Sequence, residues 1–231
     1  MRLFFDEATG KRVGILCRVL AAARKVYRQV EPSELEKIGG TVHHGGIVAV
    51  VAQEPLREAL PGDPAAWFRR GESVVVLDRI GNPHNLGAIA RTAAYFGVPR
   101  LLLSGDPASA IPGDAAYRVA EGGMEFMDIC TVRDIPAALR ALAAAGFDVV
   151  GAATRGGSGT APPKVGKPTP WALVLGNEER GLEPETTAAC SRLATIGGSG
   201  HVESLNVSVA AAVLMHSLVL RWRPQAKASS H

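Results

Sequence analysis

A segment near the carboxyl end of the sequence places polar side chains directly before an almost wholly apolar stretch. Apolar residues recur there at helical spacing, which predicts a helix over 206–220 that is buried on several sides. Ser204 and Asn206 fall at its N-terminal end, where free backbone N–H groups and the positive end of the helix dipole favour a ligand. Helix capping by Ser204 is the alternative interpretation, because serine is a common N-cap residue.

A second polar segment, 78–94, contains Asn85 and Arg91. Small residues surround Arg91 and would let another chain approach closely. A guanidinium held in such a place is well suited to bind a phosphate or a carboxylate. The alternatives are that Asn85 caps a helix and that Arg91 is an ordinary exposed arginine.

A third polar segment, 175–182, follows an apolar run. Gly176 would let a ligand approach the backbone, and Gly181 would turn the chain sharply. Glu178 or Glu179 could orient a hydroxyl or an amine, although two adjacent glutamates are also typical of a solvated turn. The glycines match neither a dinucleotide fingerprint nor a Walker motif, so the sequence gives no support for nucleotide hydrolysis.

These segments need a scaffold, and the apolar pattern of the second part of the chain predicts one. Short continuous apolar runs alternate with helical patterns, which indicates a largely parallel sheet covered by helices on both faces. Ligands gather at the carboxyl ends of the strands in such sheets. The predicted strands are 73–78, 100–104, 147–152 and 171–176, and the predicted helices are 86–96 and 135–145.

The first part of the chain has a different pattern and predicts a separate small α/β unit. Its predicted elements are helices at 14–24 and 32–38 and strands at 26–30 and 47–52. The stretch 54–70 is rich in proline and is interpreted as a connection. The tail, 223–231, is expected to be disordered.

Charge and composition narrow the possible partners. The net charge is only +3, but residues 1–70 hold 11 Lys and Arg against 8 Asp and Glu, and the excess is concentrated in residues 1–30. A local basic surface suits a phosphate backbone, although a solvated helix face is the alternative. No apolar run reaches transmembrane length, and the amino terminus lacks a secretory pattern. The three isolated cysteines are typical of reduced thiols in a cytoplasmic protein, and no metal site is expected.

Taken together, the three polar segments resemble the SpoU class of RNA methyltransferases, a branch of the SPOUT superfamily. The resemblance rests on Asn85-x-Gly-x-x-x-Arg91-x-Ala, on Gly176-Asn-Glu178 with Gly181, and on Glu203-Ser-Leu-Asn-Val-Ser-Val209, in that order. It covers roughly residues 72–222. The stretch 40–49 resembles the end of the ribosomal-protein-like substrate-binding domain that often precedes the enzyme domain in this family.

The resemblance implies an α/β fold with a mostly parallel sheet, helices on both faces and a C-terminal trefoil knot, preceded by a small α/β substrate-binding domain. The implied domains are residues 1–54 for substrate binding, 55–71 as a linker and 72–231 for methyl transfer. The first domain is expected to be partial, with an initial strand and helix missing. One local departure is Gly197-Gly198, where many relatives have Pro-Met, and it could alter the wall of the cofactor pocket.

The implied function is methylation of a ribose 2′-hydroxyl in tRNA or rRNA by a homodimer that uses S-adenosylmethionine. Thr154, Gly176, Ile196 and Leu205 would hold the cofactor. The implied reaction site consists of Asn85, Arg91, Glu178, Ser204 and Asn206.

The proton of the 2′-hydroxyl must be removed during transfer. Free arginine stays protonated at ordinary pH, so we expect Arg91 to grip a phosphate and stabilise the developing alkoxide. His84 and His201 flank the motifs as possible bases, with neutral loop histidines favoured instead. Two other functions stay open, namely methylation of a base nitrogen and a catalytically silent role in RNA binding or ribosome assembly.

Overall fold

The structure is a computed structural model that describes residues 1–52, 55–157 and 169–222. The chain divides into two units, Met1–Pro55 and Leu56–His231. The tail that is predicted to be disordered, 223–231, lies outside the described residues. Within the described part of the chain, no helix combines the length and the apolar character that crossing a membrane requires.

The first unit is a three-stranded sheet with three helices. Its elements are β1 (Arg2–Phe5), α1 (Glu7–Gly10), α2 (Gly14–Ala22), β2 (Val26–Gln29), α3 (Pro32–Gly39) and β3 (Ile47–Val50). The central strand, β1, pairs in parallel with β2 and antiparallel with β3. Leu3 and Phe5 of β1 and Leu20 of α2 form its buried core.

The structure adds two elements that the sequence analysis does not predict before residue 14. These are β1 and α1, and β1 is the strand on which the other two depend. The apolar pattern of β1 is only four residues long, which is too short to separate a strand from a helix. The expectation of a partial domain stays a prediction.

The second unit contains a seven-stranded sheet. Its elements are β4 (Arg57–Glu58), α4 (Asp63–Arg69), β5 (Val74–Asp78), α5 (Pro83–Tyr95), β6 (Arg100–Ser104), α6 (Asp114–Ala120), a 3-10 turn (Gly123–Phe126), β7 (Asp128–Val132), α7 (Ile135–Ala145), β8 (Asp148–Ala152), β9 (Trp171–Gly176), α8 (Pro184–Ala189), β10 (Arg192–Ala194) and α9 (Val207–Trp222). The strand order is β10-β8-β9-β5-β6-β7-β4, and every pair of neighbours is parallel. The parallel α/β architecture that the sequence predicts is therefore confirmed.

The central strands are buried on both faces, and alternate side chains enter two separate cores. Val75 and Leu77 of β5 pack in the core that α5 and α9 cover. Val74 and Val76 of the same strand pack in the opposite core, beneath α4 and α7. This alternation follows from the two-residue period of a strand, and it explains why these strands are continuously apolar.

The segment 55–71 corrects the sequence analysis, which assigns it to a linker. It contributes β4, which pairs with β7 at one edge of the sheet, and α4, whose Trp67 side chain is only 1% exposed. Arg57 of β4 bonds to Asp63 at 2.7 Å and to Asp128 of β7 at 2.5 Å. The Arg57 guanidinium also holds the pKa of Asp128 below its usual value. Although 55–71 is rich in proline, the segment is an integral part of the second unit.

Candidate functional site

A cavity of about 450 Å³ lies at the carboxyl ends of β8, β9 and β10. Its walls come from residues 152–154 after β8, from 175–181 at the end of β9, from Ala194 and Ile196 around the end of β10, and from the segment that enters α9. The volume falls within the range that small-molecule and cofactor sites usually have. Loops that are far apart in the sequence thus meet where parallel sheets commonly bind ligands.

The four residues that are predicted to hold a cofactor, Thr154, Gly176, Ile196 and Leu205, all line this cavity. Glu178 and Ser204 line it as well. Asn85 and Asn206 join Glu178 through hydrogen bonds, whereas Arg91 is not among the lining residues. The structure therefore brings together every predicted site residue except Arg91.

A chain of hydrogen bonds links the three polar segments. Asn206 Nδ2 donates to Asn85 Oδ1 at 3.1 Å, and Asn85 Nδ2 donates to Glu178 Oε1 at 2.9 Å. Asn206 also caps α9, because its Oδ1 accepts from the backbone N–H of Ser208 at 2.8 Å. Asn206 and not Ser204 is thus the capping residue, so the capping alternative for Ser204 is wrong.

Glu178 is the acceptor at which the loop after β5 and the loop after β9 are joined. Its carboxylate accepts from the backbone N–H groups of Gly81 at 3.2 Å and Asn82 at 3.3 Å, in addition to Asn85. Burial opposes the ionisation of Glu178, but these hydrogen bonds outweigh it and keep its pKa below the ordinary value. The carboxylate is therefore ionised at neutral pH and acts as an acceptor.

The start of α5 corrects the alternative that Asn85 caps this helix. Asn82 is the N-cap, and its side chain accepts from the backbone N–H of His84 at 2.8 Å. Asn85 lies in the first turn, is only 8% exposed and points to Glu178. His84 and His201 are both exposed and lie outside the cavity lining.

The structure gives a second reason for glycine at position 176, besides the ligand approach that the sequence suggests. A Cβ atom at this position would lie 2.3 Å from the carbonyl carbon of Gly181 and 2.4 Å from the nitrogen of Leu182. The close approach is thus between two parts of the same chain. Gly181 itself has a φ of +70°, which favours glycine, and its N–H donates to the Asn177 carbonyl at 2.8 Å.

The sequence analysis missed a buried polar cluster behind the loop after β5. Asp78 ends β5 and is 3% exposed; it accepts from Thr186 Oγ1 at 2.8 Å and from Arg79 Nε at 3.1 Å. The Arg79 carbonyl in turn accepts from Asn177 Nδ2 at 2.9 Å, which ties the two loops together again. The sequence signal for this cluster was a single aspartate at the end of a buried apolar strand, because a buried carboxylate needs hydrogen-bond or charged partners.

Arg91 lies on α5 apart from the cavity and bonds to a residue that the sequence analysis did not single out. Its Nη1 is 2.8 Å from Glu121 Oε1, and the two side chains are 55% and 63% exposed. Gly197 and Gly198, the local departure from the family pattern, are also exposed and lie outside the cavity lining, whereas the preceding Ile196 is part of it. No group of three or more metal-ligating side chains occurs among the residues that the structure describes.

Comparison with known proteins gives concordant matches. Residues 72–216 match the SpoU rRNA Methylase family, and residues 2–56 match the family described as RNA 2′-O ribose methyltransferase substrate binding. Among solved structures, the AdoMet-bound rRNA methyltransferase from Sinorhizobium meliloti is 25% identical in sequence, with a TM-score of 0.78. The match covers 94% of this chain and 78% of that one.

Two relatives show how much of the chain is similar to known proteins. The chain is 33% identical over 215 residues to YfiF of Escherichia coli O157:H7, an uncharacterized tRNA/rRNA methyltransferase, and the match covers 93% of this chain but 61% of that protein. It is 31% identical over 225 residues to the 23S rRNA (guanosine-2′-O-)-methyltransferase RlmB of a Burkholderia species, covering 94% and 87%. The chain thus spans less than two thirds of the length of YfiF. Because the family match covers more than half of the chain, and the likeness to RlmB nearly all of it, this chain belongs to the SpoU rRNA methylase family.

Proposed function

We propose that this protein methylates a ribose 2′-hydroxyl in tRNA or rRNA with S-adenosylmethionine as the methyl donor. The observation that carries the proposal is that two of the three polar segments line one cavity. The third segment joins them through the hydrogen-bond chain Asn206–Asn85–Glu178. Family membership and the printed activity of RlmB support the same reaction.

The cavity fits the cofactor in size and in charge. Leu175, Ile196 and Leu205 provide apolar surface beside the polar loop 176–181. Three glutamates, Glu178, Glu179 and Glu203, lie along the lining with a single arginine, Arg180. Because S-adenosylmethionine carries a positive sulfonium, an acidic surround favours it. When the cofactor is bound, its sulfonium supplies the methyl group. Thr154, Gly176, Ile196 and Leu205 would hold the cofactor.

The chain's own residues then have separate tasks. Glu178 and Asn85 fix the loops that shape the cavity, and Ser204 faces into it from the segment before α9. Arg91 grips the RNA phosphate and stabilises the alkoxide that forms when the 2′-hydroxyl loses its proton to phosphate or water. A side chain that is 55% exposed is accessible to a polyanion.

RNA recognition would involve the first unit. Arg2, Lys11, Arg12, Arg18, Arg24, Lys25 and Arg28 are all exposed there. A basic surface of this kind binds the phosphate backbone without sequence preference. We propose that the reaction takes place in the cytoplasm, because its proposed substrates are tRNA and rRNA.

A homodimer would complete the site. Val209, Val213 and Leu220 of α9 are 49%, 38% and 64% exposed, so this helix presents apolar surface that the described part of the chain leaves uncovered. Arg91 does not line the cavity of its own chain, and in a two-fold dimer it would act at the cavity of a symmetry mate. Both observations support a two-fold dimer with a shared site.

The trefoil knot is part of the same proposal. Its support is membership of the family, together with the position of β9 between β8 and β5 and the packing of α9 against both β9 and α5. True knots are rare, so topology alone would not suggest one. A crystal structure with the chain traced continuously tests it.

Cofactor binding and methyl transfer test the function together. We expect S-adenosylmethionine to bind at low to moderate micromolar Kd, about −7 to −8 kcal/mol. Transfer is assayed on bulk tRNA and rRNA from cells that lack the enzyme. Arg91→Ala should leave cofactor binding nearly intact and lower transfer at least about a hundredfold, a loss of about 3 kcal/mol. Arg91→Lys should recover only part of it, because an ammonium lacks the planar fork.

The outcomes separate the alternatives. Absence of cofactor binding would favour the catalytically silent role in RNA binding or ribosome assembly. Transfer to a base nitrogen, identified by nucleoside analysis, would favour the related base methylation. A fully active Arg91→Ala variant would show that the reaction site has been misplaced.

A further inference from the structure

The side chain of Glu121 holds the guanidinium of Arg91 in the structure. Arg91 Nη1 lies 2.8 Å from Glu121 Oε1, and both side chains are largely exposed. Glu121 is the residue that follows α6, so it comes from a different helix than Arg91. Exposed ion pairs of this kind contribute little to stability, so the contact invites another explanation.

The backbone of Glu121 is in a conformation that side chains rarely adopt. Its φ is 46° and its ψ is 46°, and only Arg24 and Arg79 share a positive φ with it among the described non-glycine residues. The residue that ends a helix commonly adopts this left-handed conformation, and it is usually glycine, which does so without steric cost. The chain has glycine at the next position, Gly122, which also has a positive φ. A strained glutamate at a position that favours glycine suggests a use for its carboxylate.

Two close backbone contacts fix Glu121 relative to Arg91. A Cβ on Gly87 of α5 would lie 2.4 Å from the Ala116 carbonyl oxygen of α6. A Cβ on Gly123 would lie 3.0 Å from the Cα of Arg91 itself. The helices therefore approach too closely for larger residues, and the separation between the two side chains is set by rigid backbone.

We propose that Glu121 is a positioning residue for Arg91 in methyl transfer, an inference that rests on the proposed function. The carboxylate holds the Nη1 end of the guanidinium, and the edge formed by Nε and Nη2 stays available to an RNA phosphate. Arginine presents its donors in a rigid fork, so fixing one end fixes the direction of the other. Orientation of this kind acts on the chemical step more than on the binding of RNA.

Glu121→Gly is the most informative variant, because it removes the carboxylate and relieves the left-handed strain together. We expect its Tm to be equal to or above that of the wild type. Its kcat should fall about tenfold, with KM for RNA within about twofold and with an unchanged Kd for S-adenosylmethionine. Glu121→Gln should recover part of the loss in kcat, because an amide oxygen still accepts a hydrogen bond. Glu125→Gln, at an exposed glutamate nearby, is the matched control and should behave as the wild type.

A double-variant comparison separates positioning from a general structural effect. In the Arg91→Ala background, Glu121→Gly should cause no further loss of kcat, since the group that it orients is gone. A wild-type kcat in Glu121→Gly, or a full additional loss in the double variant, would overturn the proposal.

The contact is also testable without any RNA. The Nη–H resonance of Arg91 that faces Glu121, assigned by its absence in Arg91→Lys, should shift and exchange faster with water in Glu121→Gly, and Glu125→Gln should leave it unchanged. An unaltered resonance in Glu121→Gly would overturn the proposal even if the wild type methylated no RNA. Failure of methylation by the wild type alone would count against the proposed function.

Discussion

Gly176→Ala places a single methyl group where two segments of the chain approach each other closely. The new Cβ would lie 2.3 Å from the carbonyl carbon and 2.4 Å from the oxygen of Gly181, whereas an ordinary contact begins at 3.4 Å. The backbone at Gly181 must therefore retreat by about 1 Å, and overpacking of this kind typically costs about 1–3 kcal/mol. Residues 176–181 all line the cavity, so the displacement changes its wall directly.

Calorimetric titration with S-adenosylmethionine measures the effect. We expect the Kd to rise, by up to about 150-fold if the full cost of about 3 kcal/mol falls on the bound form. Gly197→Ala is the matched control, because a Cβ there meets no atom within 4 Å, and it should bind as the wild type does. Equal affinities in the wild type, Gly176→Ala and Gly197→Ala would refute the reasoning that this close approach shapes the cofactor site.

Four further substitutions test other parts of the structure. Glu178→Gln should lower the free energy of unfolding by about 1 kcal/mol at pH 7, a modest loss because the side chain is exposed. Since the pKa of Glu178 is lowered in the folded state, its stabilisation is present above the ordinary value of 4.5 and is lost as pH falls through the folded pKa. The denaturation midpoints of the two proteins should therefore converge in acid, and a gap that widened there would contradict the assignment. Val213→Glu should give folded monomers in a sedimentation experiment. Ala211→Glu should instead unfold the protomer, because Ala211 is fully buried in its core. A Val213→Glu variant that stayed dimeric would show that the interface lies elsewhere. Trp67→Ala should lower the free energy of unfolding, measured in urea, by about 3–5 kcal/mol. A change near zero would support the interpretation of 55–71 as a linker.

The sequence predicts the elements whose pattern is local and strong. β6 and β9 are continuous apolar runs, and α7 has a clear helical period, and all three have the predicted bounds. β4 and β10 have only two and three residues, so their own sequence carries almost no signal. They exist because a neighbouring strand offers hydrogen-bonding groups. β7 lies near the edge of the sheet and is only partly buried, which explains its mixed polarity.

The sequence singles out most of the residues that line the cavity or are hydrogen-bonded to its lining, but it shows neither their contacts nor the position of Arg91 apart from the cavity. The motifs name Asn85, Glu178 and Asn206, yet nothing in their spacing shows that one hydrogen-bond chain joins them. The pair Arg91–Glu121 was missed for the same reason, since partners from different helices are brought together only by tertiary packing. The close approach of Gly176 to Gly181 was missed as well, because a sequence does not show which atoms a Cβ at that position would meet.

The short strand β4 has a practical consequence for anyone who isolates the second unit. The family match begins at residue 72, but the structural unit begins at Leu56. A protein trimmed to start at 72 would lose Arg57 and Trp67, leaving the outer edge of β7 unpaired and a gap in one core. An unpaired strand edge is a template for pairing with another molecule. The trimmed protein should therefore form aggregates larger than the proposed dimer, whereas one that starts at Leu56 should not.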